Sequence, residues 1–292
     1  MTVRASNTEI QVGISIYQQE LQHIQQCLKS CLEQQGVTTL VTARIDGTEG
    51  ANAETRGWLR EVARKMDNFE LIEGETNLGT FGSYETIFST SQSTYLCQLD
   101  ADDYLSPGAL SVTKTALDKS PKASFAYTQC ISIDQEGIPF GLGHRQATPF
   151  SMENLLLNFI TFHLRLIRRT SYEKTGGYNP SLQFTGDYDL SLKLSEAGDV
   201  IFIDRPLYYY RLHSNSASQT YTSKLHQEVA QICNEALARR QLSDTYQIRV
   251  DENGQTQLLS KTKERKVLDQ QQSNNHEIFY VSPKEMHHNQ SI

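Results

Sequence analysis

Short β-branched runs alternate with helical stripes through the first third of the chain, and this alternation limits the fold more than any other feature of the sequence. Strand–helix units repeated at this spacing predict an α/β chain with a mainly parallel sheet covered by helices on both faces. Two of the runs end in acidic turns, at Asp46 and Asp100. Because ligands of such sheets bind beyond the carboxyl ends of the strands, we expect these acids to lie near one cleft. The strand-like runs are residues 10–16, 38–45, 69–72 and 94–99.

The rest of the chain is less regular and predicts a smaller mixed region beside the sheet. Residues 123–140 have the pattern of a hairpin, and residues 185–197 have that of a helix. Later the chain becomes polar, with one weak hairpin around Asn253 and Gly254 and little structure expected beyond residue 258. The sequence thus divides into two halves of one domain, 1–120 and 121–240, and a weakly structured extension, 241–292.

Composition narrows the cellular setting and the classes of partner. The five cysteines are scattered without Cys-x-x-Cys spacing, and the first ten residues lack the apolar run of a secretion signal. No stretch approaches the roughly 18 apolar residues of a membrane span. We therefore expect a cytoplasmic location. A net charge of −7 argues against nucleic acid as a partner, so an anionic substrate would be held by local cations or a bound metal.

Asp100-Ala101-Asp102, at the end of a predicted strand, is the strongest local signal of chemistry. Two converging carboxylates bind a divalent cation better than one does. Such a cation acts as a Lewis acid, which neutralises the charge of a departing diphosphate. A solvated acidic turn before a helix explains the residues equally well, because the helix dipole favours negative charge there.

Four later residues have side chains that could act as a general base, a metal ligand or a phosphate contact. Asp187 and Asp189 open a predicted helix, where a carboxylate serves either as a general base or merely as a helix-stabilising acid. Taken alone, the second interpretation is favoured. His213 follows an aromatic strand, and the sequence favours a metal-ligand role and a structural role equally. Arg211 either contacts phosphate or belongs to a polar loop.

Taken in order, these features resemble the family 2 inverting glycosyltransferases of GT-A fold. The stretch from Leu99 to Leu110 reads Leu-Asp-x-Asp-Asp-x-x-x-Pro-x-x-Leu. It is followed by Gly-Asp-Tyr-Asp-Leu at 186–190 and by Tyr-Tyr-Arg-Leu-His-Ser-Asn-Ser at 209–216. The resemblance extends from about Val12 to Ser218 and implies a GT-A fold, in which 1–120 binds the nucleotide-sugar and 121–240 binds the acceptor.

The resemblance also implies roles for individual residues. Asp102 matches the principal ligand of Mn²⁺ or Mg²⁺, with Asp100 and His213 as further ligands. Asp187 matches the catalytic base; the family has Glu-Asp where this chain has Gly186-Asp187, which leaves Asp189 as a rival. The residues matched to nucleotide-sugar binding are Ser15, Tyr17, Asp46, Asn77, Gly79, Asp100 and Arg211.

The implied activity is non-processive, inverting transfer of a hexose or N-acetylhexosamine from a nucleotide-diphospho-sugar. UDP is the expected nucleotide. The acceptor is a hydroxyl of a glycan, a lipid-linked glycan or a small glycoside, which leaves peripheral membrane contact open. The Gln-x-x-Arg-Trp motif of processive synthases is absent, since the only tryptophan is Trp58.

Two alternatives accompany this interpretation. The family's Pro-Thr-Tyr-Asn after the first strand is replaced here by Ser15-Ile16-Tyr17-Gln18, which together with Gly186 favours a catalytically degenerate sugar-nucleotide-binding subunit of a glycan assembly complex. A metal-dependent phosphotransferase with a nucleophile in the Asp100 cluster is the other. Such enzymes usually have their acidic motif after the first strand, whereas this cluster follows the fourth.

Overall fold

The computed structural model describes residues 8–143, 145–212 and 222–261. Its helices are α1 (Leu21–Leu32), α2 (Ala53–Lys65), α3 (Gly79–Phe88), α4 (Ala109–Lys119), α5 (Met152–Leu157), α6 (Arg169–Thr175), α7 (Gly186–Ala197) and α8 (Thr222–Arg239). Its strands are β1 (Ile10–Ile16), β2 (Thr39–Ile45), β3 (Phe69–Glu73), β4 (Tyr95–Asp100), β5 (Tyr104–Leu105), β6 (Ala123–Ile133), β7 (Pro139–Leu142), β8 (Arg165–Arg168), β9 (Asp199–Arg211), β10 (Tyr246–Val250) and β11 (Thr256–Ser260).

The first half of the main sheet is parallel, as the sequence predicts. Its strand order is β3-β2-β1-β4, and β1 is paired in parallel with both β2 and β4. Every residue of β1 is buried, because helices cover both faces and β1 lies between two other strands. This arrangement aligns the carboxyl ends of β1, β2 and β4 along one edge.

The second half makes the sheet mixed and not purely parallel, which confirms the predicted mixed region beside the parallel strands. β8 lies between β4 and β6 and is antiparallel to both, whereas β9 is parallel to β6. The order continues as β8-β6-β9-β5, with β7 paired to β6 as the predicted hairpin. The reversal comes from the short β8, which enters the sheet antiparallel and thereby joins two parallel groups.

The C-terminal elements pack against α7. Ile232, Cys233, Ala236 and Leu237 of α8 are buried in a cluster that includes Leu192 of α7. The hairpin predicted around Asn253 and Gly254 is present as β10–β11. The described part of the C-terminal extension, up to residue 261, is therefore folded onto the domain.

The structure bears on the cysteines and on membrane-spanning helices within the described residues. The five cysteines are all buried, and none of them is paired in a disulfide. None of the helices in the described ranges has the length and apolar character that crossing a membrane requires.

Candidate active site

The carboxyl edge of the parallel strands brings together residues that are far apart in sequence. Ser15 of β1 is in register with Asp100 of β4 on one side and with Arg44 of β2 on the other. Asp46 follows β2 directly, and its backbone N–H donates to the carbonyl of Ile16. Parallel pairing thus puts Ser15, Asp46 and Asp100 at the same edge of the sheet.

Asp46 is almost completely buried, and other groups of the protein donate hydrogen bonds to its carboxylate. Its Oδ1 accepts hydrogen bonds from the Arg44 guanidinium and from the backbone N–H of Leu78 (2.8 Å). Arg44 also donates to Ser83 Oγ (2.8 Å) and to the carbonyl of Thr76 (3.0 Å). The Arg44–Asp46 pair therefore fixes the loop between β3 and α3 against the sheet edge.

That loop carries Asn77 and Gly79, both predicted to lie near the diphosphate. Asn77 is exposed, and its Oδ1 accepts from the N–H of Gly79 (2.9 Å). Gly79 begins α3 with φ of +74°, a conformation that glycine adopts without strain. A Cβ at position 47 would lie 3.0 Å from the Asn77 nitrogen, so the loop runs closely past the turn after β2. Tyr17, after β1, is 41% exposed at the same edge.

Asp100 is surrounded by other acids. Its Oδ1 accepts from Tyr84 Oη (2.8 Å) and from Gln98 Nε2 (3.3 Å). Burial, followed by the charge of Asp102, raises the pKa of Asp100 to about 6. Carboxylates this close repel one another when both are ionised, and a cation relieves that repulsion.

Asp100 also forms a cluster with two residues that the sequence interpretation overlooked, Asp103 and His163. One ligand atom from each of the three lies within 4.8 Å of the others. Burial raises the pKa of Asp103 and lowers that of His163, so the imidazole is neutral and can bind a metal. No sequence signal distinguishes His163, since it lies between β6 and β8 without a spacing motif.

Arg211 serves the fold around this cluster. Its backbone N–H donates to Asp103 Oδ1 (2.7 Å), and its side-chain Nε donates to the backbone carbonyl of Asp102 (2.8 Å). The two Nη atoms donate to the carbonyls of Asp134 and Gln135 and to Gln26 Oε1. Four of its five side-chain N–H groups are thus directed at protein acceptors. The contact of Arg211 with a nucleotide stays a prediction. The role of His213 as a metal ligand also stays a prediction, since His213 lies outside the described residues.

Asp187 is connected to the Asp100 cluster through two buried side chains. Its Oδ2 accepts from Arg165 Nη2 (3.1 Å), the same nitrogen that donates to Gln98 Oε1 (3.3 Å). Gln98 in turn donates to Asp100, and the charge of Asp187 contributes to the raised pKa of Asp100. Acids from β4 and α7 therefore converge on one region, although they are 87 positions apart in the chain.

Asp189 faces a different environment from Asp187. Its side chain is 1% exposed and forms an ion pair with Lys193 (2.6 Å) one turn along α7. The Asp187 side chain is 15% exposed and lines a cavity of about 570 Å³. Burial raises the pKa of Asp189, with Lys193 opposing the shift.

Close packing explains why the residue before Asp187 is the glycine Gly186. A Cβ at Gly186 would overlap the ring of Phe81 on α3. The position therefore excludes the acid that the resemblance led us to expect there, because α3 packs too closely against the start of α7.

A sequence profile described as Glycosyl transferase family 2 matches residues 12–176. The chain is 28% identical over 217 residues to a chondroitin synthase of Escherichia coli, covering 74% of this chain and 31% of that protein. It is 27% identical over 198 residues to a hyaluronan synthase of Pasteurella multocida, covering 67% of this chain and 20% of that protein. The chain thus spans less than a third of the length of these relatives.

Solved structures resemble this chain over a larger share of its length than the sequence relatives do. The S. aureus TarS 1–349 structure in complex with UDP-GlcNAc has a TM-score of 0.65 at 13% identity, covering 81% of this chain and 71% of that chain. The mannosyltransferase PcManGT from Pyrobaculum calidifontis, in complex with GDP-Man and Mn²⁺, has a TM-score of 0.57 at 16% identity, covering 81% and 65%. Identities this low show a shared fold alone.

Proposed function

The chain belongs to glycosyl transferase family 2 and has a GT-A fold, and from that premise we propose that it is a non-processive inverting transferase. The donor is a UDP-sugar carrying a hexose or N-acetylhexosamine. The acceptor is a hydroxyl of a glycan, of a lipid-linked glycan or of a small glycoside. The reaction takes place in the cytoplasm, with 1–120 binding the donor and 121–240 the acceptor.

One observation carries the proposal: Asp187 opens into a cavity and is joined through Arg165 and Gln98 to Asp100. In an inverting transfer the acceptor hydroxyl attacks the anomeric carbon from the side opposite the diphosphate. The base must therefore lie next to the acceptor and within reach of the donor site. The place of Asp187 at the cavity and its link to Asp100 support this assignment, and they favour an enzyme over a degenerate binding subunit.

Asp187 takes the proton of the attacking hydroxyl in this proposal. Arg165 Nη2 and the backbone N–H of Tyr188 (2.9 Å from Oδ1) hold its carboxylate in one orientation. General-base catalysis requires such a fixed acceptor of the proton within hydrogen-bond reach. Asp189 is paired with Lys193 and buried, so we assign it a structural role.

The donor lies along the sheet edge. TarS was solved with UDP-GlcNAc, which supports a UDP-sugar for this chain. In this proposal Ser15, Tyr17 and Asp46 bind the nucleoside, and the loop with Asn77 and Gly79 binds the diphosphate. Their common place at the carboxyl edge of the sheet supports it.

The donor set near Asp100 fits Mn²⁺ or Mg²⁺, because carboxylate oxygens are preferred ligands of both and imidazole is also accepted by Mn²⁺. Asp102 and Asp100 would hold the ion, as the resemblance implies, with His213 or His163 as a further ligand. Of these residues, Asp100 and His163 belong to the cluster described above. When bound, the ion neutralises the charge that develops on the departing diphosphate. Asp103 is less suited, because Tyr208 Oη (2.6 Å) and the Arg211 N–H already donate to its two oxygens.

The test compares Asp187→Asn with Asp189→Asn. Release of UDP from a panel of UDP-sugars is measured with glycoside acceptors and Mn²⁺. We expect Asp187→Asn to lower kcat by about 10²–10⁴-fold, the usual contribution of a general base, while UDP affinity stays the same.

Asp189→Asn is the matched control on the same helix. It should lower Tm, because Lys193 loses its partner, and leave kcat of the folded protein within about twofold. Equal loss of kcat in both variants, or none in Asp187→Asn, would contradict the assignment of the base.

A further inference from the structure

A buried tyrosine, Tyr178, makes the shortest hydrogen bond to the side chain of Gln98. Tyr178 is 3% exposed, and its Oη donates to Gln98 Oε1 (2.6 Å). Arg165 Nη2 donates to the same oxygen at 3.3 Å. Burial raises the pKa of Tyr178, so the hydroxyl keeps its proton and acts as the donor.

These two donors fix the orientation of the Gln98 amide. A guanidinium has donors only, so Gln98 must present its oxygen, and not its nitrogen, to Arg165. The amide nitrogen then faces the other way, and Nε2 donates to Asp100 Oδ1 (3.3 Å). Gln98 and Asp100 are two positions apart on β4, which places their side chains on the same face of the sheet.

The position of Tyr178 is itself fixed by α3. Glu85 Oε2 accepts from the backbone N–H of Tyr178 (2.9 Å). The Tyr178 ring stacks on the rings of Phe81 and Tyr84, with centroids 5.8 and 5.6 Å apart. A Cβ at Gly177 would overlap the Glu85 carboxylate, so the chain runs closely past α3 at this point. The hydroxyl of Tyr178 is therefore held in one place.

Resting on the proposed function, we infer that Tyr178 is a positioning residue for the transfer. Acting through Gln98, it holds the donor-side acid Asp100 and the base Asp187 in one relative geometry. From Gln98 one hydrogen bond runs to Asp100. At its other end, Gln98 shares Arg165 Nη2 with the carboxylate of Asp187. An in-line displacement requires the attacking hydroxyl and the departing diphosphate to keep fixed places, so the groups that act on them must be aligned.

Tyr178→Phe tests the inference, because it removes the hydroxyl and leaves the stacked ring. Release of UDP from UDP-GlcNAc is measured with p-nitrophenyl glycoside acceptors and Mn²⁺, together with UDP affinity and Tm. Tyr95→Phe is the matched control. Tyr95 is also a buried tyrosine, and its Oη donates to the carboxylate of Asp118 (2.6 Å) at the opposite end of β4 from Gln98.

We expect Tyr178→Phe to lower kcat about three- to tenfold, the usual net contribution of one hydrogen bond. The acceptor KM and the affinity for UDP should stay within about twofold, because the hydroxyl touches neither substrate. Tyr95→Phe should keep the wild-type kcat even if its Tm falls as far. Wild-type kcat in Tyr178→Phe, or an equal fall of kcat in Tyr95→Phe, would overturn the inference.

Gln98→Met completes a double-mutant cycle with Tyr178→Phe. Methionine has about the length of glutamine but no amide, so it cannot connect the hydroxyl to Asp100. In the Gln98→Met background, Tyr178→Phe should therefore lower kcat no further. A merely structural tyrosine would lower kcat by the same factor in both backgrounds, and that result would show that Tyr178 does not act through Gln98.

The two proposals fail separately. The denaturation midpoints of the wild type and of the single and double variants report the contact between Tyr178 and Gln98 without any turnover. Non-additive midpoint shifts in a protein that releases no UDP would refute the transferase activity and leave the contact standing. UDP release that Tyr178→Phe does not change would overturn the positioning role and leave the transferase standing.

Discussion

At the scale of single residues, Arg165 fixes the orientation of the carboxylate of Asp187, the proposed base. It is 3% exposed and donates to Asp187, to Gln98 and to the carbonyl of Thr161 (2.9 Å). A guanidinium has a planar array of donors, so it can hold three acceptors in fixed directions. An ammonium group cannot satisfy all three in the same geometry.

Arg165→Lys should therefore lower kcat while donor binding stays unchanged. A displaced carboxylate loses alignment with the acceptor hydroxyl, and we expect a fall of about ten- to a hundredfold. Steady-state kinetics and UDP titration check this. The control is Arg64→Lys on α2, an exposed arginine outside this network. A parallel loss of UDP affinity in Arg165→Lys would argue against a positioning role.

Asp102 is the residue for which the metal assignment is most easily tested. A ligand that binds only the folded protein raises Tm, and the rise grows as the ligand concentration exceeds its Kd. We expect UDP with Mn²⁺ to raise Tm more than UDP alone, and Asp102→Asn to lose the added increment. Asp204→Asn, at an exposed acid of β9, should keep it. The same Mn²⁺ increment in Asp102→Asn would exclude Asp102 as a principal ligand.

At the scale of elements, the packing of α3 against α7 sets the position of Asp187. Phe81 of α3 lies against Gly186 and stacks on Tyr178 at 5.8 Å between ring centroids. The absence of a side chain at position 186 lets the two helices approach. Tyr84 of the same helix donates to Asp100, so α3 contacts both the carboxyl edge of the sheet and the start of α7.

Gly186→Ala should destabilise the protein by about 1–3 kcal/mol, the usual cost of overpacking a core. Denaturant unfolding measures this directly. Adding Phe81→Leu in the same chain makes room for the methyl group and should recover part of the loss. No loss of stability in Gly186→Ala would show that α3 and α7 are not in close contact.

At the scale of the whole molecule, the C-terminal elements support the start of α7. Glu228 is 7% exposed, and its carboxylate accepts from two backbone N–H groups and from Thr185 Oγ1 (3.2 Å). A helix at the end of the chain thereby fixes the segment that leads into Asp187. Hydrogen bonds to a buried charge are among the stronger ones in proteins.

Glu228→Ala should lower the free energy of unfolding by about 2 kcal/mol and raise the acceptor KM. Thermal unfolding and acceptor kinetics check both effects. Glu235→Ala on the exposed side of α8 is the control and should change neither. A Glu228→Ala protein with wild-type stability and KM would show that α8 does not support the site.

The parts of the site that could be predicted from sequence were those with a local pattern. Asp46 and Asp100 follow strand-like runs, and Asp187 opens a helix after a turn. Arg165, Gln98 and His163 have no such pattern, because their importance comes from neighbours that are distant in the chain. Arg211 shows the converse, since its motif is local but most of its donors are directed at backbone carbonyls and Gln26.

The sequence by itself determined the strand–helix alternation, and with it the parallel half of the sheet and the acids at its edge, because periodicity and turn residues are local properties. Only the tertiary structure decided that β8 enters antiparallel, that Asp187 rather than Asp189 faces the cavity, and that α8 with its hairpin forms a wall of it. These depend on which surfaces bury each other, and pairwise packing between distant segments leaves no periodic signal in either one.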